Sequence, residues 1–98
     1  MNIFALSSGP GVSGVAVIRI SGPDTAKIIK SITNRDLPIP RVATLRKINK
    51  INTSELIDEG LILWFPAPES YTGEDMAEIH VHGSKAVVDA LHSSLSDI

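Results

Sequence analysis

Cysteine is absent from the 98-residue chain, which excludes disulfides, thiolate metal sites and a cysteine nucleophile. That absence also fits a cytoplasmic setting. Long hydrophobic runs are lacking too. No apolar stretch approaches the roughly 18 residues needed to span a membrane, so no membrane partner is expected. The start, MNIFALSSGPG, has neither the basic opening nor the long apolar core of a secretory signal, and Met1 reads as a true start. Neither sign of charge is in large excess: nine Lys and Arg against eleven Asp and Glu give a net charge of −2. The charges are interspersed, and without a basic stripe this chain alone is not expected to hold nucleic acid. Internal repeats and low-complexity tracts are also missing.

What is present is an ordinary globular composition, 43% hydrophobic and 20% charged. The length allows one small domain, or a piece of a larger protein. The closing VVDALHSSLSDI stops just as a helical pattern finishes, which suggests a fragment.

Residues 2–6 form a short apolar run able to pair as a strand, and 7–14, rich in Gly, Ser and Pro, read as a loop. VAVIRIS, 15–21, is rich in β-branched residues and apolar on both faces, which predicts a central, buried strand interrupted only by Arg19. Residues 22–33 predict a helix with Pro23 and Asp24 in its first turn and Ser21 or Gly22 as its cap. Thr25, Ile28, Ile29 and Ile32 share one face. After a proline-bearing connection at 34–41, residues 42–49 and 56–65 read as a strand pair. Two prolines and a glycine make 66–73 a loop. In 74–82, Ala77, Ile79 and Val81 alternate with Met76, Glu78, His80 and His82, the pattern of a strand with two distinct faces. A last helix over 84–95 turns Val87, Val88, Leu91 and Leu95 inward. This order predicts an α+β domain, a single mixed sheet with helices packed on it.

GPGVSG matches the spacing of dinucleotide-binding loops at Gly9, Gly11 and Gly14. Those glycines must open a helix whose N-terminus faces a pyrophosphate, and here they lead into a strand. The match is read as a strand-to-strand loop. No Gly-Lys-Ser or Gly-Lys-Thr is present to form a phosphate loop.

Arg19 and the residues of 74–82 carry the chemistry. A guanidinium in an apolar strand needs a carboxylate, a cluster of backbone acceptors or a polar ligand, unless its strand lies near a sheet end and the side chain reaches water. His80 and His82 could offer two imidazoles to a metal, but no third ligand is adjacent, and three protein ligands are the usual minimum for zinc. They are read as sheet-face histidines, and no metal site is assigned. Glu74 and Asp75 stand where carboxylates accept N–H bonds from the preceding loop. Glu78, deeper in the strand, would form with Arg19 either a buried pair or the two poles of a pocket.

Three blocks, VAVIRISGP at 15–23, DEGLILWFPAPESYTGED at 58–75 and EIHVHGSKAVV at 78–88, resemble the N-terminal domain of the tRNA modification GTPase family known as MnmE or TrmE. The likeness runs over nearly the whole chain, so 1–98 is expected to be an N-terminal folate-binding and dimerisation domain, with the family's helical and GTP-hydrolysing domains lying later. The resemblance implies a fold like the folate-binding domains of one-carbon enzymes such as the glycine-cleavage aminomethyltransferase. It implies a tetrahydrofolate derivative, 5-formyl- or 5,10-methylene-tetrahydrofolate, as cofactor and a homodimer as assembly. It also implies a flavoprotein partner, MnmG or GidA, and the wobble uridine of tRNA as target, with tRNA reached through the parent complex. GTP, magnesium and potassium belong to the parent rather than to this stretch, which is expected to have no GTPase activity alone.

By the same resemblance Arg19, in the R-I-S-G block, and Glu78, opening the E-x-x-x-H-G block, are the folate-contacting residues. A further lysine contact falls beyond residue 98. The chain departs from many relatives at Val12, where an Arg stands in the glycine loop, and at Ser84, where His82-Gly83 would be followed by a second Gly. A pterin presents an N–H and an amino group side by side, a donor pair that Glu78 can accept with both oxygens while Arg19 supplies complementary donors. Two other readings stand beside this one: a stand-alone folate-dependent one-carbon transferase, and a purely structural dimerisation module in which Arg19 and Glu78 pair internally.

Overall fold

The computed structural model describes residues 3–6, 14–68, 70 and 73–96. Within them run β1 (Ile3–Leu6), β2 (Val15–Ser21), α1 (Thr25–Thr33), β3 (Thr44–Asn49), β4 (Leu56–Phe65), β5 (Met76–His82) and α2 (Lys85–Ser96). The five strands form one sheet in the order β1-β2-β5-β4-β3. β3, β4 and β5 follow one another as a meander, and β5 closes the sheet by pairing with β2. The expected α+β architecture is present, but every pairing is antiparallel, where a mixed sheet was expected. The reason is the route of the chain: α1 carries it from β2 to the far edge, so the helical crossover joins strands that are not neighbours and creates no parallel pair.

Both helices lie on one face of the sheet. Ile28, Ile29 and Ile32 of α1 and Leu91 and Leu95 of α2 meet Ala16, Ile18, Ile20, Ile48, Ile62, Trp64, Ala77, Ile79 and Val81 in one core. Each fully buried Ile or Leu contributes about 1.5–3 kcal/mol relative to exposure. β5 has the alternation its sequence predicts, with Ala77, Ile79 and Val81 inward and Glu78, His80 and His82 on the opposite face. Met76 shares that outer face and is nevertheless buried, between its register partners Ser21 and Phe65.

Two expectations are corrected. β2 is not buried on both sides: Ala16, Ile18 and Ile20 are in the core, while Val15 is 52% exposed and Arg19 is exposed on the face away from the helices. Apolar residues on both faces reflect the strand's composition, but burial also requires a covering layer, and among the described residues the helices supply one only on the core side. The first helix also starts later than expected, at Thr25 with Asp24 as its N-cap residue and no side-chain capping bond. Gly22 sits at φ 141°, a backbone no helix can contain, and its N–H donates to Asp75 O at 3.0 Å. Buried Thr25 then ties the turn down, its hydroxyl donating to Gly22 O at 2.8 Å. At the other end Asn34 adopts the left-handed conformation and its N–H donates to Lys30 O.

The glycine loop, with Gly9, Gly11 and Val12, lies outside the described residues, as do Tyr71 and Thr72. Gly14 leads directly into β2, as a strand-entry reading of that loop requires.

Candidate functional site on the open sheet face

The β2–β5 register sets Arg19 directly opposite Glu78, and β4 sets Leu63 on Glu78's other side. Because strand side chains alternate, all three project from the face away from the helices. Arg19 Nε donates to Glu78 Oε2 at 2.8 Å. Two residues along β5, His80 Nε2 lies 3.1 Å from Glu78 Oε1. The carboxylate is thus held between a guanidinium and an imidazole, one to each oxygen. Exposure is unequal: the Glu78 side chain is 13% exposed, His80 28% and Arg19 48%.

Burial is the largest single influence on the Glu78 carboxyl and pushes its pKa up. Hydrogen bonds from His80 and Arg19, with the charges of both, together outweigh it and leave the pKa below the ordinary value. Glu78 is therefore a charged acceptor held nearly out of water. Each carboxylate oxygen has acceptor capacity beyond one bond, so the pair does not saturate it.

His82 takes a different partner. Its ring Nδ1 lies 2.9 Å from Asp58 Oδ2, and its backbone N–H donates to the same oxygen at 2.9 Å. The β4–β5 ladder ends at Leu61 and His80, so the Asp58 carboxylate supplies the acceptor that the strand no longer offers. Burial again acts upward on the Asp58 carboxyl, and the bonds from the His82 backbone and ring and the Glu59 backbone bring its pKa below the usual value. His82 itself is 74% exposed.

Of the two acids at the entrance of the strand, Asp75 closes the loop with its carboxylate as its position predicts, whereas at Glu74 the contact is made by the main-chain carbonyl. Asp75 Oδ1 accepts from Ala67 N–H at 2.9 Å, and the Ser70 hydroxyl donates to the Glu74 carbonyl. Among the described residues no group of three His, Cys, Asp or Glu is placed to hold a metal ion. A shallow groove of about 320 Å³ lies further along the same face, lined among others by Val15, Leu45, Leu61, Glu59 and His80. His80 therefore stands between the Arg19–Glu78 pair and the groove. That volume is at the small end of the roughly 300–1,000 Å³ typical of small-molecule sites.

Sequence reading brings Arg19 and Glu78 to one face and assigns His80 and His82 to scaffold. It misses the bond from His80 to Glu78, although two same-face residues on one strand were the available signal. It also misses Asp58, for which no local signal existed, because the contact depends on the β4–β5 register.

A family model described as GTP-binding protein TrmE N-terminus matches residues 2–97. The chain is 74% identical over its whole length to a tRNA modification GTPase MnmE of Pelagibacter ubique, of which it covers 22%. It is 50% identical over 98% of its length to a mitochondrial 5-taurinomethyluridine-tRNA synthase subunit of Danio rerio, covering 19% of that protein. The corresponding human subunit is 48% identical over 98% of the chain, which covers 20% of it. The chain thus spans about a fifth of the length of these relatives.

Proposed function

The chain belongs to the TrmE N-terminal family, and from that premise we propose that it is the tetrahydrofolate-binding and dimerisation domain of a tRNA modification GTPase. The parent protein acts on the wobble uridine of tRNA in the cytoplasm with a flavoprotein partner. GTP, magnesium and potassium are bound by its other domains. Relatives named as tRNA modification GTPases and 5-taurinomethyluridine-tRNA synthase subunits support the tRNA part of this reading. The observation that carries the folate part is the charged, mostly covered Glu78 flanked by Arg19 and His80 on the sheet face away from the helices.

The donor set fits the group. A pterin edge offers two adjacent N–H donors, which match a carboxylate kept ionised and fixed in direction. Arg19, nearly half exposed, can meet an oxygen of the ligand while its Nε stays on Glu78. A bound tetrahydrofolate derivative would supply the one-carbon unit. The chain's own residues bind and orient it: Glu78 accepts, Arg19 donates, and Leu63 beside Glu78 keeps water from one flank. Dimerisation is supported by Val15, Leu45 and Leu61, large apolar residues left exposed on the same open face.

The 2.8 Å Arg19–Glu78 bond also favours a second reading, a structural ion pair in a module that only dimerises. A thermal-shift titration separates the two. Stabilisation that saturates with 5-formyltetrahydrofolate supports the binding domain, and an unchanged melting temperature at millimolar ligand supports the structural module.

A further inference from the structure

On the sheet face His80 has apolar neighbours across both strands, Val17 on β2 and Leu61 on β4. The titratable and charged groups around it are Glu78 and His82 on its own strand, Arg19 diagonally on β2, and Glu59 on β4, with Lys47 of β3 opposite Glu59. Of these, Glu78 Oε1 is 3.1 Å from the ring. An ionised carboxylate only accepts, so this contact requires the hydrogen on Nε2. In the neutral ring this selects the Nε2–H tautomer; in the protonated ring both nitrogens carry hydrogen and the same Nε2–H contact is kept.

We propose that His80 is the positioning residue of the site: by donating from Nε2 to Glu78 Oε1 while Arg19 holds Oε2, it fixes the plane of the carboxylate and turns its remaining acceptor directions toward a ligand on the open face. The inference rests on the folate-binding reading for the identity of that ligand, and on the geometry alone for the coupling itself. With one donor, a carboxylate can rotate about its last torsion. With a donor on each oxygen, from two different strand positions, it cannot rotate without losing one of them. Its place between the Glu78 pair and the groove lined by Leu45 and Leu61 also puts the His80 ring beside any ligand extending from Glu78 into that groove.

Two variants isolate the role in the 98-residue chain. His80→Gln keeps an N–H donor of similar reach without the charge, and His80→Leu keeps bulk and removes the donor. His80→Ala serves if the Leu variant fails to fold, with circular dichroism as the check. The ligand-free measurement is the titration of the Glu78 carboxyl carbon by NMR. The midpoint is expected lowest in the wild type, intermediate in His80→Gln and highest in His80→Leu, with the wild-type His80 proton on Nε2. Identical Glu78 midpoints in all three overturn the inference, whatever is found for folate. The ligand measurement is the affinity for 5-formyltetrahydrofolate. His80→Leu is expected to weaken it about tenfold, and His80→Gln to recover it to within about threefold of wild type. Equal affinity in wild type and His80→Leu overturns the positioning role. Glu78 midpoints in the expected order with no folate binding in the wild type support the coupling and overturn the folate reading.

Discussion

A carboxylate mostly covered by its own sheet face stays charged only if neighbours replace the water it has lost. Glu78 has two such neighbours, and its pKa lies below the ordinary carboxylate value despite burial. Asp58, held by the His82 backbone and ring, behaves the same way. Both groups bind protons less readily in the folded chain than in the unfolded one. Their contribution to stability is fully present above the unfolded carboxyl pKa, about 4, and is lost as pH falls through the lower folded value. Urea titrations between pH 6 and pH 2 should show a shallower acid loss of stability in Asp58→Asn and in Glu78→Gln than in the wild type. At neutral pH, Asp58→Ala removes the acceptor from the His82 N–H and should cost about 1 kcal/mol in urea. Arg19 and Glu78 are legible in the sequence because a charge in an apolar strand demands an explanation. The Asp58–His82 and His80–Glu78 bonds are not, because one depends on strand register and the other on side-chain direction.

Elements are readable where a single period decides them. From Ala77 onward β5 alternates because the helices cover one face, and a one-residue slip would exchange Ala77, Ile79 and Val81 for Glu78, His80 and His82. The start of α1 is not readable in the same way. Pro23 and Asp24 are favourable first-turn residues, yet Gly22's positive φ and the Thr25 anchor delay the helix. The burial of β2 escapes sequence reading for a third reason: its apolar outer residues describe a surface, and only the tertiary arrangement decides whether anything covers it. Close approach of β4 to β5 gives a direct test at this scale. A Cβ placed on Gly60 would lie 2.1 Å from the His80 carbonyl oxygen, so the strand must shift to admit it. Gly60→Ala should destabilise by about 1–3 kcal/mol in denaturant titration and, on the proposed reading, weaken folate binding, because the displaced residue is the one proposed to position Glu78.

As a whole the described residues form two layers, with both helices on one face of the sheet and, on the other, exposed apolar residues beside the Arg19–Glu78–His80 cluster and the Glu59–Lys47 pair. Val15, Leu45 and Leu61 remain exposed there. A second copy of the chain covering part of this surface would remove them from water, and light scattering should give a dimer at high micromolar concentration. A monomer at millimolar concentration would contradict the dimerisation reading for this chain. The α+β class was legible from the order of elements, but the all-antiparallel arrangement was not, because nothing local records that α1 crosses to the far edge of the sheet. No helix among the described residues is long and apolar enough to cross a membrane.

On the proposed reading Glu78 recognises the ligand and is not simply the partner of Arg19. Calorimetric titration of 5-formyltetrahydrofolate into the chain and into its Glu78→Gln variant addresses it directly. The variant keeps size and a carbonyl acceptor but loses the charge, and a charge-assisted bond is worth about 1.5–3 kcal/mol. Saturable binding by the wild type is expected, with a Kd larger by about 10- to 100-fold in the variant. Equal affinities in the two proteins, or no saturable heat from the wild type, would contradict that reading.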